Sequence, residues 1–448
     1  MSMVSGDVSV KKLPVNSLDI ALYVLFLFFN TTFFFFDLFH FGKLNSLISA
    51  LIAMAIALRK NSGFKFLPPV FLFFLFILLS NISKLINYDR YGFFSAAYVS
   101  TLFQFIFLGY LLSEDKAVLK KVFDVFLKLL LVLTVPGLIY YFLIMFNVNV
   151  PFHIVSLGGR VGVPYRDYQN LAIVTEQSAY YPVAIFHVGP LTVSRLCGMF
   201  EEPGMLATIL GVLLIADMIV FPEKKRRKYF IIAAGLMTFS FAFMIFLLSM
   251  SLFYMKKHHF KKIVAAIFIL ALAYIVLAPA ELKNMLNILV FNRFIPTEDA
   301  SSHGMMVLSG DDRIGFLLMF LDYFKNETLI TQLFGNGPGS NQIFLSFAPI
   351  IYEYGLIGFF LVISMLAYFF IYLPVRSGKK KYLLLTLMPL LSMYQRPDFI
   401  SGYYFIAYAM MMISFNRGRL GLKGLIPDMP TIKTGIGPEE LRSGSTGA

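Results

Sequence analysis

Long apolar runs separated by short clusters of lysine and arginine account for most of this chain of 448 residues. A run of roughly 20 apolar residues is enough for a helix to cross a ~30 Å hydrocarbon core. The pattern therefore predicts an all-α fold, a polytopic transmembrane helical bundle. Ordinary membrane spans are predicted at about residues 18–36, 41–58, 66–86, 93–112, 122–146, 203–221, 260–278, 343–373, 382–395 and 399–415.

The apolar run at residues 229–255 has basic clusters on both sides, at residues 224–228 and 256–262. Positively charged loops collect on the cytoplasmic side of a membrane, so both ends of this run are predicted to be cytoplasmic. Two short helices that fold back near Thr238 and Ser240 meet this condition if the break is buried in protein or lines a wet cavity. With this short hairpin the prediction is about 12 spans, with the N- and C-termini cytoplasmic.

Two polar stretches, residues 147–202 and 279–342, are much longer than simple turns and fall on the outer face in this topology. Within the second, residues 312–324 carry their apolar side chains on one side, which predicts an amphipathic helix at the membrane surface. We therefore expect short helices in the outer loops. Residues 1–426 are predicted to form one integral-membrane domain, and residues 427–448, rich in Pro, Gly and Ser, a disordered cytoplasmic tail.

Composition supports the membrane class and excludes several others. Hydrophobic residues make up 58% of the chain and charged residues 14%, and the mean hydropathy is +0.76, which a water-exposed domain does not reach. The net charge of +13 comes largely from the clusters between apolar runs, so it indicates membrane topology and no nucleic-acid partner. The single cysteine, Cys197, excludes an intramolecular disulfide framework and a multi-cysteine metal site.

The polar side chains of the outer loops are the candidate site. Arginines that converge outside a membrane suit a phosphate or diphosphate, because the planar guanidinium binds its oxygens in pairs. Tyrosines suit sugar rings, since they offer an apolar face together with a hydroxyl. For any single arginine the alternative is a solvated loop charge. The candidate ligand-binding residues are Arg160, Tyr165, Arg166, Arg195, Arg293, Asp312, Arg313 and, in the turn before the last span, Arg396.

Several segments, in order, resemble the motifs of the O-antigen polymerase and O-antigen ligase superfamily. The first is Arg195-x-x-Gly198-x-Phe200-x-Glu202-Pro203-Gly204. Residues 309–313 resemble the start of the family's second outer-loop helix, residues 333–340 its glycine-rich turn, and residues 352–358 the beginning of its next span. The hairpin predicted at residues 229–255 resembles the family's short hairpin. Together the pieces extend over roughly residues 190–375.

The resemblance implies a GT-C-like membrane glycosyltransferase that needs no metal or other cofactor. Its donor is a glycan on undecaprenyl diphosphate, and transfer occurs on the periplasmic face of the bacterial inner membrane. Ligases of the family carry a His-Asn pair about nine residues before the glutamate that matches Glu353, where this chain has Phe344 and Leu345. This difference favours a polymerase, for which a lipid-linked oligosaccharide is both donor and acceptor and a chain-length regulator protein is a candidate partner. An Arg293-x10-Gly304 spacing also fits a pattern of the polymerases.

The proposed roles follow from the charge that develops on the departing diphosphate. Arg195 and Arg313 are assigned to stabilise it, with Arg293, Arg160 or Arg166 assisting. Glu202 is the first candidate for the base that deprotonates the acceptor hydroxyl, although it equally suits a brace for Arg195 or a helix cap. Arg396 either lines the cavity or anchors a lipid headgroup. The alternative bases are Glu176, Asp312, His303 and His153.

Two other functions stay open on the sequence. A ligase is disfavoured by the missing His-Asn pair. A transporter or lipid flippase also fits about 12 spans with both termini inside, but we expect it to place paired charges or helix breaks near the membrane centre in both halves. Here the polar residues collect in the outer loops, and Asp217 is the deepest charge.

Overall fold

A computed structural model describes residues 16–31, 42–60, 64, 67–86, 96–146, 148, 171–174, 183–188, 191–200, 203–254, 313–337, 347–392 and 399–415. The first helices are α1 Ser17–Phe29, α2 Gly42–Arg59, α3 Pro68–Ile86, α4 Ala96–Ser113 and α5 Lys116–Met145. Three strands follow, β1 Leu171–Val174, β2 Val183–Val188 and β3 Leu191–Leu196. Then come α6 Pro203–Val220, α7 Lys225–Met237, α8 Phe241–Tyr254, α9 Arg313–Asn326, α10 Leu329–Phe334 and α11 Ala348–Ala367. A π-helix Tyr368–Tyr372, α12 Leu373–Arg376, a 3₁₀-helix Lys380–Tyr382, α13 Leu383–Ser392 and α14 Gly402–Phe415 complete the described part.

Four of the described helical segments are long and apolar enough to cross a membrane: α3, α5, α6 and the continuous segment from Ala348 to Arg376. Shorter apolar helices fall within α1, α2, α4, α8 and α14. The predicted class, a helical membrane protein, is confirmed to this extent. The count of about 12 spans stays a prediction, and the run at residues 260–278 lies outside the described residues.

Helices α6 and α14 form the centre of the bundle. Both are buried on nearly all sides, including Ala207, Leu213, Tyr404 and Tyr408, which are 0% exposed. A helix that is apolar all round is expected to be surrounded by other helices. Accordingly, α6 contacts α7, α8, α13 and α14, and α14 contacts α1, α4, α5 and α6.

The start of α1 meets the ends of α2 and α4 in a cluster of ion pairs. Asp19 lies 3.1 Å from the Arg59 guanidinium and 3.2 Å from the Lys60 ammonium. Lys60 also lies 2.5 Å from Glu114, which accepts a hydrogen bond from the Tyr23 hydroxyl at 2.7 Å. These contacts put the first residues of α1 at the same end of the bundle as the last residues of α2 and α4.

A second ion-pair cluster joins α5 to the turn between α6 and α7. Nη1 of Arg227 is 2.5 Å from Asp124, and Nη2 of Arg227 contacts Asp217, which is 0% exposed. Lys224 contacts Asp124 as well. Since α5 begins directly after α4, the two clusters share one end of the bundle. We call this the basic end, and it carries Asp19, Arg59, Lys60, Glu114, Asp124, Asp217, Lys224 and Arg227.

Contacts at the two ends of α14 fix its direction. The backbone N–H of Gly402, at its start, donates to Asn30 after the end of α1, at 2.9 Å. Near its other end, the carbonyl of Ser414 accepts a hydrogen bond from the Lys379 ammonium at 2.9 Å. Helix α14 therefore runs antiparallel to α1, and the segment around Lys379 lies at the basic end.

The apolar run at residues 229–255 consists of two helices, α7 and α8, so the predicted hairpin is confirmed. The helices are separated at residues 238–240, where Phe239 has φ 44°. The two helices are in close contact at Gly235. A Cβ at this position would lie only 2.0 Å from the Phe243 ring, so a larger residue does not fit. Both arms pack against α6, and the break lies at the opposite end from Arg227.

The described residues are mostly helical, as the all-α class predicts, but the first of the two long loops contains three short strands that were not predicted. Its strands form a three-stranded antiparallel sheet in the order β1-β2-β3. Residues 183–188 and 191–196 are rich in valine and other residues that favour strands, on either side of a Gly-Pro pair, a composition that suits a hairpin. In the second loop, helix α9 confirms the helix predicted at residues 312–324, and the tail at residues 427–448 lies outside the described residues.

We predict that Arg227→Gln strongly destabilises the bundle, because Asp217 loses its ion-pair partner in an apolar interior. Breaking a buried pair from one side costs roughly 3–5 kcal/mol. The double variant Asp217→Asn/Arg227→Gln should recover most of this loss, since neither buried charge is left alone. Unfolding can be followed in detergent by the labelling of Cys197, the single cysteine, which is buried.

The matched control is Lys128→Gln. Lys128 also pairs with Asp124, at 2.9 Å, but its side chain is 64% exposed. Exposed pairs contribute about 0–1 kcal/mol, so a small effect is expected. A double variant as unstable as Arg227→Gln, or an equal effect of Lys128→Gln, contradicts the prediction.

Candidate functional site at Arg195

Arg195 lies on the last strand of the sheet, at one end of the helical bundle. Strand β3 pairs with β2 in a register that sets Arg195 opposite Ala184. The pairing continues to Val188 opposite Leu191, so only two residues separate the strands. β3 in turn contacts α5, α6 and α7, which places the end of this strand against the bundle.

Arg195 is buried, with 8% of its surface exposed, and it reaches the tip of the hairpin. Its Nε donates a hydrogen bond to the backbone carbonyl of Thr238 at 2.9 Å. Thr238 is the C-cap of α7, where the last carbonyls lack partners within the helix and carry partial negative charge. A guanidinium is therefore well suited to this position. The interaction also ties the first motif to the hairpin, 43 residues away along the chain.

The hairpin tip is held by local hydrogen bonds as well. The Thr238 hydroxyl donates to the carbonyl of Gly235 at 2.6 Å and accepts from the backbone N–H of Ser240 at 3.3 Å. Thr238 is 0% exposed and Ser240 5% exposed. The polar side chains of the break are thus buried and hydrogen-bonded, as a helix break away from water requires, while Phe239 between them is 52% exposed.

Gly198 explains why a glycine stands three residues after Arg195. Its φ is 62°, and a Cβ there would lie 3.1 Å from the side chain of Leu206. On the other side, a Cβ on Gly137 of α5 would lie 2.9 Å from the Cα of Gly198. Two glycines therefore let the chain cross α5 at close range before α6 begins at Pro203.

A second pair of motif glycines holds the turn after α10 against a break in α11. Gly355 has φ 67° and interrupts α11, and Gly335 has φ 77°. A Cβ on Gly355 would lie 2.2 Å from the Leu333 carbonyl oxygen, and a Cβ on Gly335 would lie 2.4 Å from the Glu353 carbonyl carbon. Only glycine allows both the positive φ and this approach of two backbones.

Hydrogen bonds satisfy the carbonyls that the break exposes. The backbone N–H of Asn336 donates to Tyr352 at 2.8 Å, and that of Gly337 donates to Glu353 at 2.9 Å. The hydroxyl of Ser83, near the end of α3, also donates to the Glu353 carbonyl, at 3.2 Å. The two motifs therefore form one unit, supported by α3.

Helix α9 joins this unit through Tyr323. The Tyr323 ring lies 5.2 Å from the Tyr352 ring, and the Asn336 amide is 3.5 Å from the Tyr323 hydroxyl. Burial, together with hydrogen bonding to Glu327 and Tyr352, raises the pKa of the Tyr323 phenol. The phenol therefore stays protonated near neutral pH. Helix α9 begins at Arg313, the last residue of the segment that resembles the second motif.

The structure describes part of the predicted site. It places Arg195 against the hairpin and Arg313 at the start of α9, where the backbone alone is described. The other predicted site residues lie outside the described part of the chain: Arg160, Tyr165, Arg166, Glu202, Arg293, Asp312 and Arg396, together with the alternative bases Glu176, His303 and His153.

Comparisons with known proteins add no family. No protein-family model matches the chain, and no curated protein matches it either. The motif resemblance therefore rests on the residues themselves.

Sequence reasoning missed three participants, namely Gly137, Ser83 and the sheet that carries Arg195. Gly137 and Ser83 act on partners 61 and 270 residues away, so no local pattern marks them. For the sheet, the signal in the sequence was the strand-favouring composition of β2 and β3.

We predict that Gly355→Ala severely destabilises the protein, because the added methyl group meets the Leu333 carbonyl and the backbone has positive φ. Gly378→Ala is the matched control: Gly378 has φ 73°, yet nothing lies within 4 Å of a Cβ there. Positive φ alone should cost Gly378→Ala about 1–2 kcal/mol. The additional clash at Gly355 should add roughly 1–3 kcal/mol, as overpacking does. Equal unfolding midpoints in detergent for the two variants would show that the close approach is not needed.

Proposed function

We propose that this chain is a membrane glycosyltransferase that joins undecaprenyl-diphosphate-linked oligosaccharide repeat units into O-antigen or a related surface polysaccharide. The observation that carries the proposal is the buried guanidinium of Arg195, held by the Thr238 carbonyl at the end of the bundle opposite the basic end. A buried, fixed arginine is a strong stabiliser of a diphosphate leaving group, since it needs no reorganisation as charge develops.

The glycine positions give further support. Gly198, Gly335 and Gly355 each belong to a segment that resembles the polymerase and ligase superfamily, and each has positive φ. The backbone requires glycine at these three motif positions. A chance similarity in sequence would not be expected to place glycine at such positions.

In the proposed reaction, a hydroxyl oxygen of the acceptor repeat unit attacks the anomeric carbon of the donor glycan. The bond between that carbon and the diphosphate oxygen breaks, and undecaprenyl diphosphate leaves with the bonding electrons. Arg195 and Arg313 stabilise its charge, with Arg160, Arg166 or Arg293 assisting. Glu202 is the first candidate to take the proton of the hydroxyl. Asp312, Tyr165 and Arg396 are assigned to bind the substrates.

Besides its ion pairs, the basic end carries the lysines and arginines at the starts of α5 and α7, among them Lys116, Lys225 and Arg226. This end therefore suits the cytoplasmic face, where positively charged residues of membrane proteins collect. We accordingly propose that the Arg195 end faces the periplasm, in the inner membrane of a bacterium, with both termini cytoplasmic. The ligase alternative differs in its acceptor. The apolar Phe344 and Leu345 favour a polymerase, as they stand where ligases of the superfamily carry His and Asn.

A transporter is less well supported. The charges of Asp217, Arg227 and Asp124 are engaged with one another at the basic end, where they hold α5, α6 and α7 together. A transport site is expected near the membrane centre, at breaks in helices from both halves. The break at residues 238–240 instead has its Thr238 carbonyl hydrogen-bonded to Arg195.

We predict that Arg195→Ala lowers polymer formation by roughly 100-fold or more, the usual effect of removing one stabiliser of a leaving charge. Arg313→Ala should have an effect of the same order. Purified protein in nanodiscs would be incubated with lipid-linked repeat units, and the ladder of products read on a gel. The control, Arg59→Ala, removes an arginine at the basic end whose side chain is 39% exposed, and it should leave the ladder unchanged.

The same assay separates the other functions. Normal ladders from both Arg195→Ala and Arg313→Ala would refute the assigned roles. Transfer of the glycan only to a lipid A-core acceptor identifies a ligase. Movement of the lipid-linked unit across the bilayer without elongation identifies a transporter.

A further inference from the structure

The helix that begins at Ala348 does not stay α-helical to its end. Residues Tyr368–Tyr372 form a π-helix, and the backbone N–H of Leu373 donates to the carbonyl of Tyr368, five residues earlier. Pro374 lies one residue later and has no N–H to donate, which removes a bond of the regular α-helical ladder. Such π-segments are rare and frequently occur at functional sites.

A groove of about 500 Å³ lies beside this π-helix. Its lining is mostly apolar, and Tyr372 and Val375 are 45% and 38% exposed, so the groove is on the outer surface of the bundle. Its wall is formed by Leu72 of α3 and, on the other side, by Ser364, Ala367, Tyr368, Ile371, Tyr372 and Val375. A surface groove of this kind in a membrane helix bundle faces lipid chains.

Arg376 lies next to the groove on the side of the basic end, in contact with the lining residue Tyr372. Nη1 of Arg376 donates to the Tyr372 hydroxyl at 3.0 Å, and its guanidinium carbon lies 5.7 Å from the centre of the Tyr372 ring. Among the described residues, Arg376 contacts no carboxylate, whereas Arg59 pairs with Asp19 and Arg227 with two aspartates. No carboxylate of the described residues therefore neutralises the positive charge of Arg376.

We propose that this groove binds an anionic glycerophospholipid, with its phosphate on Arg376 and one acyl chain between Leu72 and the π-helix. An arginine fork suits a phosphate, and an apolar groove next to this fork suits a lipid chain attached to it. The site lies at the opposite end from Arg195. It is therefore independent of the proposed glycosyl transfer, and its occupant is a lipid of the other leaflet.

The chain contains no tryptophan, which allows a direct test. In the Ile371→Trp variant the single indole stands in the groove, and its fluorescence is quenched by lipids with brominated acyl chains. We expect brominated phosphatidylglycerol to quench at about fivefold lower mole fraction than brominated phosphatidylcholine. Adding Arg376→Gln should abolish the difference. Because Arg376 is exposed, this change is not expected to unfold the protein, and Cys197 labelling would verify the fold.

Leu58→Trp is the matched control, since Leu58 is 78% exposed beside Arg59 and Lys60 at the same end. Those two cations are paired with carboxylates, so little lipid preference is expected there. Equal quenching by the two lipids at Ile371→Trp, the same preference at Leu58→Trp, or no effect of Arg376→Gln would overturn the proposal. So would displacement of phosphatidylglycerol by polyprenyl phosphate at a lower mole fraction, which would make the occupant an isoprenoid.

Discussion

In an apolar bundle, a helix that breaks exposes carbonyl and N–H groups that need partners from the protein, because lipid supplies none. Two such breaks organise the end of the bundle that carries the candidate site. At the break at residues 238–240, the Thr238 carbonyl accepts a hydrogen bond from Arg195, which lies on strand β3. The break at Gly355 is met by the backbone N–H groups of Asn336 and Gly337.

The same constraint applies to charge. Asp124, Asp217 and Arg227 lie inside the bundle near its basic end and are engaged with one another. Arg195 is a buried cation at the other end, and its Nε donates a hydrogen bond to the Thr238 carbonyl. A guanidinium in such a place keeps its positive charge, and this is why a diphosphate is the ligand we favour for it.

The proposed reaction and the proposed lipid site use arginine in two different settings. Arg195 is buried and held at a helix break, which suits charge that develops during a reaction. Arg376 is exposed next to an apolar groove, which suits a standing phosphate at a membrane surface. Because the two lie at opposite ends of the bundle, each can be tested without disturbing the other.

The sequence by itself determined the membrane class, the approximate helices and the hairpin break, and it marked Arg195 as a candidate, because these depend on local hydrophobicity, charge and glycine spacing. Only the tertiary structure decided which groups are partners. The joining of Gly335 to Gly355, of Arg227 to Asp124 and of Arg195 to Thr238 each links segments distant in sequence. The sheet before α6 was likewise decided by the tertiary structure, since strand pairing is a contact between separate segments. Its short strands are also hard to recognise in a sequence dominated by long apolar runs.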